Sequence, residues 1–168
     1  MKNNIIDSMI IREITEVDLT FLDDFLHLAI YTTENDPPVP KSIIYIPEIY
    51  IYIKEFGSKN GDHGVVAEFD GKLVCMSWTR IIPAYGYIEN NIPELVISVL
   101  PEYKGKGVGT MVMQKLFELL KTNGYNQTSL SVQKDNPAVE FYKKLGYIVY
   151  SERLDNAKHE DYLMIKEF

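Results

Sequence analysis

A chain of 168 residues, 46% of them hydrophobic, is long enough to bury one well-packed core and too short for a second full domain. Its 17 basic and 24 acidic residues give a formal net charge of −7, which disfavours unaided binding to nucleic acid, because that binding rests on a basic surface. One cysteine excludes an intramolecular disulfide, and no apolar run approaches the roughly 18 residues that span a bilayer.

The first half of the chain predicts a strand, two helices and a hairpin. Residues 9–14 are rich in isoleucine and predict a strand that ends at Thr15, whose hydroxyl can cap a helix beginning at residue 16. Prolines exclude a helix over residues 32–41, and a second helix is predicted within residues 47–56. The dipeptide Asp70-Gly71 joins two apolar runs and is typical of a β-hairpin turn. Cys75 lies within the second run, which favours a buried core residue over a nucleophile.

The second half predicts a buried strand followed by alternating helices and strands. Residues 95–100 are apolar at nearly every position, as in a strand covered on both faces. A helix with one apolar stripe follows from Val108 and ends near Gly124. A strand over residues 128–132, a helix capped by Asn136 and two final strands complete the order. We therefore expect an α/β fold, with a central mixed twisted β-sheet flanked by about four α-helices.

Glycines connect the predicted buried strand to the long helix. Gly105, Gly107 and Gly109 remove Cβ atoms that would block the approach of a ligand, and Lys104 and Lys106 add positive charge. Phosphate groups bind at such a helix N-terminus because its first N–H groups are unpaired. The spacing lacks the Gly-Lys-Ser/Thr ending of a nucleotide P-loop and the last glycine of a dinucleotide-binding fingerprint. An anion-binding loop of another kind is predicted, with an ordinary tight turn as the alternative.

Two motifs resemble those of the GNAT N-acetyltransferases. The pattern Lys104-x-x-Gly107-x-Gly109 is similar to motif A of that family, Arg/Gln-x-x-Gly-x-Gly/Ala. Residues 136–147 resemble motif B, Asn-x-x-Ala-x-x-Phe-Tyr-x-x-x-Gly-Phe/Tyr. The resemblance covers about residues 9–168 and implies a single GNAT-type acyl-CoA N-acyltransferase domain over residues 1–168, with residues 1–8 as a flexible N-terminal extension. Lysine at position 104 departs from the motif, because it keeps the charge but lacks the planar fork of arginine.

The resemblance implies an acetyl-CoA-dependent N-acetyltransferase, in which a primary amine attacks the thioester directly through a tetrahedral intermediate. No metal is expected, since none of the three histidines has a second ligand at metal-binding spacing. The family pattern implies backbone contacts from the fourth strand to the pantetheine arm and a pyrophosphate held by the glycine loop. The cofactor-binding residues implied in this way are Ile97, Val99, Lys104, Gly105, Lys106, Gly107, Val108, Gly109, Thr110, Asn136 and Tyr142.

Two residues are candidates for the proton transfers. Tyr142 matches the family tyrosine that protonates the departing thiolate, and core packing on its apolar helix stripe is the alternative. An amine with a pKa near ~10 must lose a proton before it attacks, and Glu94 is the first candidate for the base, directly or through water. A solvated carboxylate at a strand end is the alternative, and strand parity places Glu94 on the face opposite Ile97 and Val99. Four other carboxylates could serve as the base instead: Glu34, Asp36, Glu68 and Glu89. His63 is expected to lie in a turn.

The acceptor is expected to be selected by two irregular segments, residues 32–46 and 81–93. Aromatic and acidic residues there and nearby suit a cation: Tyr31, Glu34, Asp36, Tyr45, Tyr85 and Tyr87. A small-molecule amine is favoured over a protein, because the acidic chain has no obvious long insertion for a peptide. The alternative function is a non-catalytic acyl-CoA-binding sensor or regulatory module. We expect a cytoplasmic protein with no nucleic-acid or membrane partner, and a homodimer is a candidate assembly.

Overall fold

A computed structural model describes residues 4–154 and 159–168. Over these residues the chain forms one seven-stranded mixed sheet with four α-helices, which confirms the predicted fold class. The strands are β1 (Ile10–Glu13), β2 (His63–Phe69), β3 (Lys72–Arg80), β4 (Glu94–Val99), β5 (Gln127–Gln133), β6 (Ile148–Leu154) and β7 (Glu160–Glu167). The helices are α1 (Leu22–Ala29), α2 (Pro47–Tyr50), α3 (Val108–Thr122) and α4 (Ala138–Lys144). None of the helices in the described part of the chain has the length and apolar character to cross a membrane.

The sheet has the strand order β1-β2-β3-β4-β5-β7-β6. All neighbouring strands are antiparallel except β4 and β5, which are parallel. The predicted hairpin joins β2 to β3, and Asp70 and Gly71 both have positive φ, at 51° and 75°, as a tight hairpin turn requires. β4 and β5 pair at one position only, Glu94 with Ser129. The two strands separate beyond that pair and leave a gap near the middle of the sheet.

Each face of the sheet covers a separate apolar core. α1 and α2 lie over one face, where Trp78 and Met76 are fully buried. α3 and α4 lie over the other face, where Val112 and Leu116 are fully buried. Cys75 belongs to the second core and has no exposed surface, which confirms that it is a packing residue. The gap between β4 and β5 therefore lies between two packed cores, one on each face of the sheet.

The helix predicted from residue 16 begins later in the structure. Residues Glu16–Phe21 form a 3₁₀ turn, and the α-helix starts at Leu22. The Asp18 carboxylate accepts the backbone N–H of Thr15 at 2.7 Å and pairs with Arg12 at 2.7 Å. These bonds hold the first turn tightly against β1, so Thr15 begins a 3₁₀ turn rather than an α-helix.

The second predicted helix is also shorter than residues 47–56. It ends at Tyr50, and the chain continues in irregular turns. The buried Arg80 side chain donates to the carbonyls of Ile51 and Lys54, at 2.9 and 2.6 Å, and pairs with the buried Asp62 at 2.8 Å. Because the guanidinium binds these carbonyls, they are not needed as acceptors for a further helical turn.

The N-terminal segment lies close to the glycine loop. Residues Ile5–Ser8 form a 3₁₀ turn, and residues 1–3 lie outside the described part of the chain. The Ile6 Cδ1 atom would be 3.1 Å from a Cβ added at Gly107. Part of the segment expected as a flexible extension therefore has a defined turn beside the loop.

Candidate active site

The gap between β4 and β5 leaves one row of β4 backbone groups without a strand partner. The Leu100 N–H donates to the Val74 carbonyl of β3 at 2.9 Å. Backbone groups alternate in direction along an antiparallel strand, so the even-numbered residues of β4 face β3 and the odd-numbered ones face β5. The N–H and C=O groups of Ile97 and Val99 therefore point into the gap. This orientation leaves them available to pair with an extended ligand, the role that the resemblance implies for them.

The glycine loop precedes α3 and leaves the first turn of that helix open. Gly105 and Gly107 adopt the left-handed conformation, with φ of 72° and 85°. The first helical hydrogen bond runs from the Met111 N–H to the Gly107 carbonyl at 3.2 Å. The preceding N–H groups, of residues 108–110, consequently have no acceptor within the helix. The exposed Lys104 and Lys106 add positive charge beside them, so the loop fits a phosphate group.

Gly109 has a different task from the other two glycines. A Cβ added there would lie 3.3 Å from Cζ of Phe141 and 3.6 Å from Cγ2 of Val99. The absence of a side chain thus lets α3 pack closely against α4 and β4. In the structure, Gly109 allows this close packing below the loop, whereas the sequence predicts that it clears space for the ligand.

Glu94 is buried at the point where β4 and β5 part. Its side chain is on the α2 face, opposite the side chains of Ile97 and Val99, as strand parity predicts. Oε1 accepts the Tyr52 hydroxyl at 2.5 Å and the Gly86 N–H at 2.6 Å. Oε2 is buried and has no hydrogen-bond partner among the described residues. With 3% of its surface exposed, Glu94 is not the solvated strand-end carboxylate that the sequence left as the alternative.

The environment of Glu94 raises the pKa of its carboxyl group toward neutral pH. Burial raises the pKa of Glu94 to about 7, although the hydrogen bonds from Tyr52 and Gly86 and the charge of Arg153 lower it. Burial and the adjacent carboxylate raise the pKa of Tyr52 well above its ordinary range, so Tyr52 remains a donor. A carboxylate with a pKa near the working pH can both accept and release a proton, which is what a general base requires.

Tyr142 reaches the same region from α4. Its ring packs against those of Phe141 and Tyr147, with centroid distances of 5.5 and 5.8 Å. Burial raises the pKa of Tyr142, so its hydroxyl stays protonated at neutral pH. Asn136 lies six residues before it, and the Asn136 Oδ1 accepts the Ala138 N–H at 2.9 Å. Asn136 thus satisfies an N–H of the first turn as predicted, although α4 begins at Ala138 and Pro137 occupies the N-cap position.

A cavity of about 720 Å³, the central cavity, joins these groups. β4 and β5 both contribute to its walls, so the gap opens into it. The two segments that the sequence predicts to select the acceptor also line it. Its lining includes Tyr31, Asp36, Tyr85, Glu94, Asn136 and Tyr142. Glu94 and Tyr142 therefore face one space from different elements of the fold.

The other candidate bases are less suited than Glu94, because they are exposed or paired with a cation. Glu68 pairs with Arg12 at 3.1 Å, Glu34 is exposed in a turn, and Glu89 is exposed in an irregular segment. Asp36 lines the central cavity, but it is exposed and its carboxylate accepts the Thr33 N–H at 2.7 Å. The expectation for His63 is wrong: it begins β2 and packs edge-on against the Tyr125 ring at 5.8 Å.

Sequence reasoning missed the two residues that hold Glu94. Tyr52 lies 42 positions before Glu94, and no local spacing connects them. Gly86 carried a usable signal, since an isolated glycine often marks a close approach. A Cβ at Gly86 would lie 2.5 Å from Oε1 of Glu94. Glycine is thus required for the segment 81–93 to close over the carboxylate.

Replacing Tyr52 with phenylalanine is expected to raise the pKa of Glu94, because it removes a hydrogen bond that lowers this pKa. If Glu94 is the base, kcat/KM of the variant should fall roughly tenfold at pH values below the pKa of Glu94 and change little above it. This magnitude follows because a hydrogen bond to a charged group contributes about 1.5–3 kcal/mol. The pH profile of acetyl transfer, corrected for ionisation of the amine, measures this. Tyr50→Phe, on the neighbouring turn, is the matched control. An identical profile for Tyr52→Phe and the wild type would contradict the role of Tyr52.

Comparison with known proteins connects this site to one family. The sequence profile of the Acetyltransferase (GNAT) family matches residues 28–147. An uncharacterized N-acetyltransferase of Bacillus subtilis (strain 168) is 27% identical over 138 residues, which cover 82% of this chain and 49% of the relative. An uncharacterized N-acetyltransferase of Methanocaldococcus jannaschii is 30% identical over 152 residues, which cover 86% of this chain and 62% of the relative. The chain thus spans about half to three fifths of the length of these two relatives.

A solved structure confirms the fold. The PaiA N-acetyltransferase from Thermoplasma acidophilum, crystallised in complex with coenzyme A, superposes with a TM-score of 0.67 at 23% sequence identity. The superposition covers 96% of this chain and 99% of that one.

Proposed function

The chain belongs to the Acetyltransferase (GNAT) family, and on that premise we propose that it is an acetyl-CoA-dependent N-acetyltransferase whose acceptor is a small primary amine. The observation that carries the proposal is the buried Glu94, which lies where β4 and β5 part and lines the same cavity as Tyr142; its Oε2 has no hydrogen-bond partner among the described residues. A buried carboxylate oxygen without a hydrogen-bond partner is uncommon in folded proteins, and beside an open strand edge it is available to a ligand.

The loop and the open edge of β4 would hold the cofactor. The unpaired N–H groups of residues 108–110 would bind its pyrophosphate, aided by Lys104 and Lys106. The backbone of Ile97 and Val99 would pair with its pantetheine arm, as a further strand pairs with a sheet edge. Once bound, acetyl-CoA supplies an acetyl thioester for attack by the amine.

Glu94 would prepare the acceptor. A primary amine is mostly protonated at neutral pH, and Oε2 of Glu94 has no competing donor among the described residues. It can therefore take the proton from the ammonium group, directly or through one water. The Tyr52 hydroxyl and the Gly86 N–H hold Oε1, which fixes the direction in which Oε2 points.

The β4 edge and Tyr142 would stabilise the charges that develop during transfer. A backbone N–H of β4 that points into the gap can donate to the oxygen that gains negative charge. The protonated hydroxyl of Tyr142 can donate its proton to the departing sulfur. Acid and base thus come from α4 and β4 and do not compete for the same proton.

The central cavity supports a small acceptor. It has a volume of about 720 Å³, within the usual range for small-molecule sites. Asp36 and Glu94 line it, and the chain carries a net charge of −7, both of which favour a cationic amine.

Replacing Tyr142 with phenylalanine is expected to lower kcat by roughly 100-fold, the lower range for loss of a positioned acid. Affinity for acetyl-CoA should change little, because the ring and its packing remain. Steady-state kinetics at saturating acetyl-CoA measure the effect. Tyr147→Phe is the matched control, since its ring packs on Tyr142 from outside the cavity lining. An unchanged kcat at every pH would remove Tyr142 from the mechanism.

Titration calorimetry with acetyl-CoA, followed by a screen of amines for release of CoA, tests the proposed function. Desulfo-CoA keeps the pyrophosphate and the pantetheine arm and should also bind, whereas ATP should not. Binding together with amine-dependent release of CoA supports the enzyme. Binding without release for any amine supports the acyl-CoA sensor instead, and no binding contradicts both.

A further inference from the structure

Arg153, on β6, has an unsatisfied guanidinium edge. Its Nε and Nη2 atoms are buried, and neither has a hydrogen-bond partner among the described residues. These two atoms form one side of the planar guanidinium, the side that matches the two oxygens of a carboxylate. Burying charged donors without an acceptor is costly, so this edge calls for a ligand that supplies one.

The other arginines show how this chain treats a guanidinium that serves the fold. The sequence has three arginines. Arg12 bonds to the carboxylates of Asp18 and Glu68. Arg80 bonds to Asp62 through Nε and to two backbone carbonyls through Nη1. Arg153 differs from both, because its Nε/Nη2 edge has no hydrogen-bond partner in the described part of the chain.

Arg153 faces a space that adjoins the central cavity. This side cavity has a volume of about 470 Å³, and its walls include Pro47, Pro83, Ala84 and Leu154. Glu48 and Tyr85 line both cavities, so the two are neighbours. Arg153 is also near enough to Glu94 for its charge to lower the pKa of that carboxyl. The Nε/Nη2 edge of Arg153 and Oε2 of Glu94, which have no hydrogen-bond partner among the described residues, therefore belong to two cavities that share part of their walls.

Carboxylates of the protein surround Arg153 without occupying its free edge. Asp161 is its cross-strand neighbour on β7, yet neither Nε nor Nη2 bonds to it. Glu48 lines the shared wall but is exposed.

We propose that the acceptor amine also carries a carboxylate, which the Nε/Nη2 edge of Arg153 binds while the amino group faces Oε2 of Glu94. This inference rests on the proposed function and names its substrate class. Opposite charges on the two protein groups match opposite charges on the acceptor, which fixes its orientation. A carboxylate fits better than a dianionic phosphate, because Glu48 and Glu94 already line the region.

Matched acceptor pairs test the inference. Primary amino acids of graded chain length, with the amine at the α, β, γ or more distant position, are compared with their own carboxamides in the CoA-release assay. For the preferred length, kcat/KM should be roughly 10- to 100-fold higher for the carboxylate than for the carboxamide, the range for a hydrogen bond to a charged group. Arg153→Gln should reduce that ratio to near unity, and Arg153→Lys should leave an intermediate ratio.

A control variant separates a specific contact from a general charge effect. Lys134 is a cation that directly follows β5, near the end of β6 that carries Arg153, and bonds to Glu152 at 2.7 Å. Lys134→Gln should leave the carboxylate-to-carboxamide ratio unchanged. Calorimetric binding of the preferred amino acid to the protein with CoA, which needs no turnover, should weaken in Arg153→Gln by a similar factor.

The outcomes separate this inference from the proposed function. Equal kcat/KM for carboxylates and carboxamides, or a ratio that survives Arg153→Gln, would overturn the inference and leave the acetyltransferase standing. Failure of the protein to bind acetyl-CoA or to release CoA with any acceptor would overturn both.

Discussion

Replacing Glu94 with glutamine is expected to lower kcat/KM for the acceptor by roughly 10²- to 10⁴-fold at neutral pH, the range that a positioned general base contributes. Glutamine keeps the shape of the side chain and can still accept the bonds from Tyr52 and Gly86. It cannot accept a proton from the ammonium group. The loss should therefore be in catalysis, with acetyl-CoA affinity preserved.

The pH dependence makes this prediction specific. The pKa of Glu94 is raised to about 7, so wild-type kcat/KM should fall as the pH drops through about 7 and the carboxylate becomes protonated. The variant should lack that limb once ionisation of the amine is corrected for. Measurement of kcat/KM for both proteins, from two pH units below to two above this value, would show whether the limb is present. A limb that persists in Glu94→Gln would place the base elsewhere.

Stability provides the control for Glu94→Gln. The pKa of Glu94 is raised from 4.5 to about 7 in the folded protein, so the folded state holds this proton more tightly than the unfolded chain does. The free energy of unfolding of the wild type therefore decreases as pH rises from about 4.5 to about 7, by about 3 kcal/mol for this group, at about 1.4 kcal/mol per unit of pKa. Glutamine does not titrate, so the Tm of the variant relative to wild type should increase over that interval. A constant difference in Tm would contradict a buried, titrating Glu94.

Replacing Gly107 with valine is expected to abolish measurable binding of acetyl-CoA. Gly107 has a φ of 85°, a conformation that costs L-residues about 1–2 kcal/mol and is worse for a β-branched side chain. The new Cβ would also lie 3.1 Å from Cδ1 of Ile6. The loop must therefore rearrange, which displaces the N–H groups of residues 108–110. Titration calorimetry with acetyl-CoA measures the loss.

Gly124 offers a matched control at the other end of α3. It has a φ of 86°, nearly the same as Gly107, and a Cβ added there would meet no atom within 4 Å. Gly124→Val should lose a similar amount of stability to backbone strain while binding acetyl-CoA as the wild type does. Retained affinity in Gly107→Val would mean that the glycine loop does not hold the cofactor.

The order of elements could be read from the sequence because it depends on local patterns. Alternating apolar residues mark the strands, and Asp70-Gly71 marks the hairpin with the positive φ values that the turn needs. The position of Glu94 at the start of β4, and the face of the sheet it occupies, also follow from the period of two along a strand. These features need no knowledge of which distant residues meet.

The surroundings of Glu94 and the true end of α2 could not be read in this way, because distant residues determine both. Tyr52 reaches Glu94 only because α2 stops at Tyr50, and the carbonyls that would extend the helix are bound instead by Arg80 on β3. No local pattern in residues 47–56 contains that information. For the same reason, the sequence could not predict that Nε and Nη2 of Arg153 have no hydrogen-bond partner among the described residues. Whether a guanidinium is paired depends on all the residues that the fold places around it.

The single rung between β4 and β5 divides the sheet into two antiparallel ribbons, β1–β4 and β5–β7, that meet along a seam. The proposed base, Glu94, belongs to the first ribbon, and the proposed acid, Tyr142, lies on α4, which packs against the second. Each ribbon thus carries one half of the chemistry. Because Arg153 on β6 would also bind the acceptor, acceptor binding spans both ribbons and depends on the register of the seam.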